Sequence, residues 1–89
     1  MTQIQFIEQT LGLNSQELAK ALGVAPITVT RWEEGTNTPT GLQAEVLNGL
    51  YSVAMNIDEA EDKQRANVVK GLLILGIGAL IFYLLSQKS

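Results

Sequence analysis

Leu18–Gly35 reads LAKALGVAPITVTRWEEG, and its spacing is that of two short helices joined by a tight turn. Leu18, Ala19 and Leu22 share one helical face, Gly23 accepts a positive φ, and Val29 and Trp32 resume the 3.6-residue stripe. Pro26 suits the first turn of the second of these helices, where its missing N–H has no intrahelical partner to lose. At 100° per residue Val29 and Trp32 point one way, while Ile27, Arg31 and Glu34 point roughly the other. The first set is expected in the core and the second in solvent. Ala19 is small, as close crossing of two helices requires.

The segment Asn14–Pro39 resembles the Xre (Cro/C1-type) helix-turn-helix family. The residues that carry the likeness are Leu18-Ala19, Gly23-Val24, Val29, Arg31-Trp32-Glu33, Gly35 and Pro39. With flanking helices it covers about residues 3–55. The resemblance implies DNA binding, with the residues at Pro26, Ile27 and Arg31 reaching base edges in the major groove. There Arg31 is suited to a guanine O6 and N7, and Ile27 to a thymine methyl. Gln16 would lie near a phosphate, and Thr28 and Thr30 would add hydroxyl contacts to the DNA backbone. Glu34 departs from the pattern, which often has a basic residue before the Gly, and a carboxylate on that face repels phosphate.

Working outward toward the N-terminus, Asn14 is placed to cap the second helix, with Glu17 reaching back to its amide. Ile4, Ile7 and Leu11 form the stripe of a first helix that Gly12 can end. Phe6 lies off that stripe and is expected to pack on a later helix. The opening MTQIQFIEQT has neither the basic region nor the apolar core of a signal peptide, so residues 1–55 are expected in the cytoplasm.

Downstream, TNTPT at 36–40 is a turn built on Pro39. Leu42, Val46, Leu50 and Val53 then mark a fourth, core-forming helix, widened by Leu47, Tyr51 and Ala54. Asn56–Lys63, NIDEAEDK, changes the composition from apolar to acidic. It is expected to start a new helix capped by Asn56 or Asp58, with Glu59–Lys63 and Glu61–Arg65 as i,i+4 pairs.

Gly71–Leu85, GLLILGIGALIFYLL, carries no charge. Counted from Val68, it is interrupted only by Lys70 and spans roughly 27 Å as a helix, close to the hydrocarbon thickness of a bilayer. It is apolar all round, which predicts a transmembrane helix over 68–87, followed by a tail at 88–89. Lys70 would snorkel to the headgroups and Tyr83 would anchor the far interface. Lys63, Arg65 and Lys70 precede the segment and Lys88 follows it, which places the N-terminal domain in the cytoplasm by the positive-inside bias. Gly76-Ile77-Gly78 has no preceding strand and is not a dinucleotide loop. Gly71, Gly78 and Ala79 are instead expected to offer a flat strip to another transmembrane helix.

Composition narrows the function. In 89 residues there is neither Cys nor His, which removes disulfides, thiolate metal sites and the commonest general base, so enzymatic chemistry, metal and cofactor are not expected. Net charge is −3, and up to residue 50 only Lys20 and Arg31 oppose Glu8, Glu17, Glu33, Glu34 and Glu45. Few phosphate contacts are available, so DNA binding is expected to be weak and to need dimers or arrays.

The resulting expectation is an all-α protein: a helix-turn-helix bundle of about four helices over 1–55, a mixed-charge helical linker over 56–67, and a single-pass transmembrane helix. It would act as a membrane-anchored DNA-binding regulator or DNA tether. In the alternative, the module binds a cytoplasmic or membrane protein as an adaptor subunit, a layout similar to that of the cytoskeletal adaptor RodZ. In a third reading, a soluble regulator forms homo-oligomers through residues 68–85.

Overall fold

The computed structural model describes residues 2–86, and these form six helices with no strand. They are α1 (Gln3–Leu11), α2 (Ser15–Leu22), α3 (Pro26–Glu34), α4 (Gly41–Ala60), α5 (Lys63–Leu75) and α6 (Ile77–Ser86). Helices of eight or nine residues do not hold their shape alone in water, so α1 to α3 depend on caps and on shared burial. Two capping boxes start α1 and α2. Thr2 and Gln5 exchange hydrogen bonds of 3.2 and 3.0 Å, and Asn14 and Glu17 do so at 2.8 and 3.0 Å. Left-handed glycines end all three helices, and Gly23, at φ 71°, turns the chain from α2 toward α3.

α1 packs along α4 and α2 packs against α3, as the apolar stripes require. Ile7, Leu18, Val29, Leu47 and Leu50 lie fully enclosed where these helices meet, and Trp32 joins them. Phe6 meets Tyr51 of α4 edge-on with ring centroids 5.5 Å apart, so the off-stripe aromatic does pack on a later helix. Gln3 Nε2 donates to Asn48 Oδ1 at 3.1 Å and adds a polar tie between α1 and α4.

Two expectations about the C-terminal third are corrected. α4 does not stop near Asn56 but runs to Ala60, because Ile57 continues its buried stripe. The cap of the next helix is Asp62, which accepts from the Arg65 amide at 3.1 Å. Glu61, at φ 53°, separates α4 from α5, so neither Glu59–Lys63 nor Glu61–Arg65 is a pair within one helix.

The second correction concerns the expected transmembrane helix. Among the described residues no helix is long and apolar enough to cross a membrane. The apolar run is divided at Gly76, whose φ of 138° and ψ of 162° lie outside any helix, and α6 folds back on α5 as a hairpin. α5 lies across α1, α2 and α4, so Val69, Leu73 and Leu80 are enclosed by protein rather than offered to lipid. Burial of side chains this size is worth about 1.5–3 kcal/mol each, which favours docking of the hairpin in water. Tyr83, expected at a lipid interface, packs on the core, and its hydroxyl accepts from Arg65 Nε at 3.4 Å. Lys70 reaches back over Gly12 at the end of α1. Gly71 sits on α5 while Gly78 and Ala79 sit on α6, on opposite sides of the break. Residue 87 of the expected span and the tail at 88–89, with Lys88, fall outside the described residues.

This arrangement separates neighbouring positions sharply. Leu73→Ala removes a side chain that is 1 % exposed, whereas Ile74→Ala trims one that is 63 % exposed. In urea unfolding of the full chain, Leu73→Ala is expected to cost about 2–4 kcal/mol and Ile74→Ala under about 0.5 kcal/mol. Equal effects would contradict the docked hairpin.

Candidate nucleic-acid interface

The outer face of α3 is built by subtraction. Val29 and Trp32 are its two buried residues, and seating them in the core turns Pro26, Ile27, Arg31 and Glu34 outward. Ile27 is 55 % exposed, a large apolar side chain in water on the same face as a guanidinium. Thr28 and Thr30 are half-buried at the margins. Thr30 Oγ1 donates to the carbonyl of Pro26 at 3.2 Å, so its proton is engaged within the helix. Gln16, the second residue of α2, is exposed. α2 packs on α3, so the start of α2 belongs to the same end of the module as α3.

Acidic groups stand at this end. Glu17 closes the capping box at the α2 N-terminus, where it occupies the amide-rich site that a phosphate would otherwise favour. Glu34 is exposed at the last residue of α3. Glu33 is turned inward, and its Oε2 accepts from Ser15 Oγ at 2.8 Å, tying the end of α3 to the start of α2.

Behind that tie lies Glu8, the one buried charged residue among those described, at 8 % exposure. Its Oε2 has no hydrogen-bond donor among the described residues. Burial first, then the hydrogen bond and charge of the neighbouring Glu33, push the Glu8 carboxyl up to about 8, against a smaller opposing effect of Ser15. Nothing in the motif residues points to Glu8. The available signal is its phase, because residue 8 lies on the stripe of Ile4 and Leu11, where a carboxylate has no business without a partner.

Elsewhere a cleft of about 530 Å³ lies between α4 and α6 and is walled by Leu42, Val46, Val53, Ile81 and Leu85. No group of three or more His, Cys, Asp or Glu side chains that could hold a metal ion occurs among the described residues.

A short helix pair with a left-handed glycine turn, backed by two further helices and presenting the outer face of its second member, defines a helix-turn-helix domain. A family model described as helix-turn-helix matches residues 5–53, more than half of the 89 residues, and the chain belongs to that family. The match ends within α4, so α5 and α6 lie beyond it. No curated protein and no solved structure matches the chain.

The buried carboxyl makes stability pH-dependent in a definite direction. Glu8 is raised in the folded state from an ordinary value of 4.5, so its contribution is complete below about 4.5 and is lost as pH rises through about 8. Thermal unfolding should show the melting temperature falling across that window. Glu8→Gln should flatten the fall and gain on the order of 1–2 kcal/mol at pH 8, well under full linkage because water reaches the cleft.

Proposed function

We propose that this protein is a DNA-binding regulator that lays α3 in the major groove. The observation that carries the reading is the outward face of α3, where Ile27 and Arg31 stand side by side on a domain of the helix-turn-helix family. Arg31 would bind a guanine O6 and N7 bidentately and Ile27 would pack on a thymine methyl. Gln16 would position the module on a phosphate. Glu34 weakens the general attraction to phosphate but is able to accept from a cytosine N4, so it would exchange affinity for discrimination. With so few cations, binding depends on more than one copy on the same duplex.

Selection from a randomised duplex library by the full chain at low salt, followed by anisotropy titration, tests this. Arg31→Ala should weaken binding by about 10-fold or more, and Glu34→Lys should strengthen it and steepen the salt dependence by about one phosphate equivalent. Absence of binding at every salt concentration, or an indifferent Arg31→Ala, would turn the reading toward a protein-interaction module.

A second reading concerns place of action. Ile74, Leu75, Phe82 and Leu85 are each more than 60 % exposed on the hairpin, within a run that holds no charge from Gly71 to Ser86. We propose that this face meets the surface of a lipid bilayer with the hairpin intact, residues 1–55 lying on the cytoplasmic side. A membrane surface would concentrate the domain and offset its weak grip on DNA. The full chain should float with zwitterionic phosphatidylcholine vesicles, and the double change Phe82→Asp with Leu85→Asp should leave it in the soluble fraction. Recovery of the unaltered chain from the soluble fraction would rule out the tether.

A further inference from the structure

The cleft between α1 and the α2–α3 pair contains the least expected chemistry in the molecule. α1 contributes Glu8 with Gln5 and Gln9, the turn contributes Asn14, α2 contributes Ser15 and α3 contributes Glu33. Glu8 and Glu33 are its only titratable groups, and no Lys or Arg lines it. Lys70 of α5 approaches α1 at Gly12, one turn further on, and Lys63, with Asp58, Glu61 and Asp62, lines a separate cleft beside Gln9 and Thr10. Gln5, Gln9 and Asn14 bring amide NH2 donors to the cleft, but no donor among the described residues reaches the buried Glu8 Oε2. Gln5 Oε1 accepts from the Thr2 N–H, and Asn14 Oδ1 accepts from the Glu17 N–H. Ser15 gives its single proton to Glu33. A buried carboxyl oxygen that no donor reaches, in one cleft with a second carboxyl, is stable when its group keeps a proton and gives it to the other.

We infer that Glu8 is a positioning residue for the recognition helix: it remains protonated and donates to Glu33, and this shared proton, with the Ser15 hydroxyl, sets the last turn of α3. The lever is short. Glu33 is adjacent to Trp32, which α3 buries, and to Glu34 on the outer face, and Arg31 lies half a turn back. Removal of the proton leaves two carboxylates in one cleft, and the end of α3 is the part free to retreat, because a glycine turn rather than another helix follows it. Loss of the proton therefore loosens Arg31 and Glu34 together. The statement about the helix end stands on the cleft alone, while its effect on DNA rests on the reading of α3 given above.

Carboxyl-carbon NMR titration of the full chain, with amide exchange measured in parallel, tests both parts. Glu8 should stay protonated at pH 6.5 and titrate well above the ordinary carboxylate range. The amides of Gly35 and Thr36, bonded to the carbonyls of Trp32 and Arg31, should exchange at least 10-fold faster above that titration after correction for intrinsic rates. Glu8→Gln, which keeps a donor and cannot ionise, should hold that exchange constant from pH 6 to 9. Duplex affinity should fall over the same interval in the unaltered chain and stay level in Glu8→Gln. An ordinary titration of Glu8 near 4.5, or a Glu8→Gln exchange profile that follows the unaltered chain, would overturn the inference. A high titration with pH-gated exchange but no duplex binding at any pH would keep Glu8 as the positioning residue and remove the DNA reading instead.

Discussion

Val29 and Trp32 are the two side chains by which α3 reaches the core, and everything the outer face of that helix presents depends on how they are seated. Their burial is worth several kcal/mol together, enough to hold a nine-residue helix that would not persist alone. Two anchors one turn apart fix where the helix lies better than they fix its roll about its own axis. Its N-terminus has no side-chain cap, since Ala25 stands at that position, and Pro26 supplies only a preset φ. The remaining restraints are at the other end, in the left-handed turn at Gly35 and the hydrogen bond from Ser15 to Glu33. The Ser15–Glu33 hydrogen bond is thus a polar restraint at the end of α3, added to the packing of α3 on α2 and α1.

The second constraint is the fate of the apolar residues after α4. In water they have two ways to escape solvent, by leaving it for lipid or by folding onto an existing surface. The bundle of α1, α2 and α4 offers such a surface, and a single non-helical residue, Gly76, lets the chain reverse and use it. The solution is incomplete. Val69, Leu73 and Leu80 are enclosed, but a run that is apolar on every side cannot hide all its faces in a two-helix layer. Ile74, Leu75, Phe82 and Leu85 remain outside, Leu85 at the cleft between α4 and α6 and Ile74 and Leu75 at another beside Glu17 and Lys20 of α2.

The parts legible in the sequence are those whose cause is local. The Asn14–Glu17 box, the glycine turn at Gly23, Pro26 at the head of α3 and the opposition of Val29 and Trp32 to Ile27 and Arg31 each follow from a few neighbouring residues, and each is present in the fold. The hairpin was not legible, because hydropathy over a window measures how strongly residues avoid water and carries no information on which apolar partner accepts them. One glycine in an apolar run is equally at home in a membrane helix or at a break. Asp62 was missed as a cap because the acidic cluster offers several side chains that satisfy the same rule, and the choice is made by Ile57, which extends α4 for tertiary reasons. Glu8 was passed over because its partner is 25 residues away and on another helix, although its position on the buried stripe of α1 was visible from the start.

Charge settles what kind of reader such a face is suited to be. Counterion release gives a cationic protein most of its affinity for DNA regardless of sequence, and that share would be small for a chain of net charge −3 with Glu17 and Glu34 beside the exposed face of α3. What remains is short-range: a fork of donors on Arg31, an apolar contact from Ile27, and an acceptor on Glu34. These discriminate between base pairs far better than they hold a duplex, since each is satisfied by few partners and penalised by the rest. On the DNA-binding reading proposed above, a protein so composed would trade residence on arbitrary DNA for selectivity.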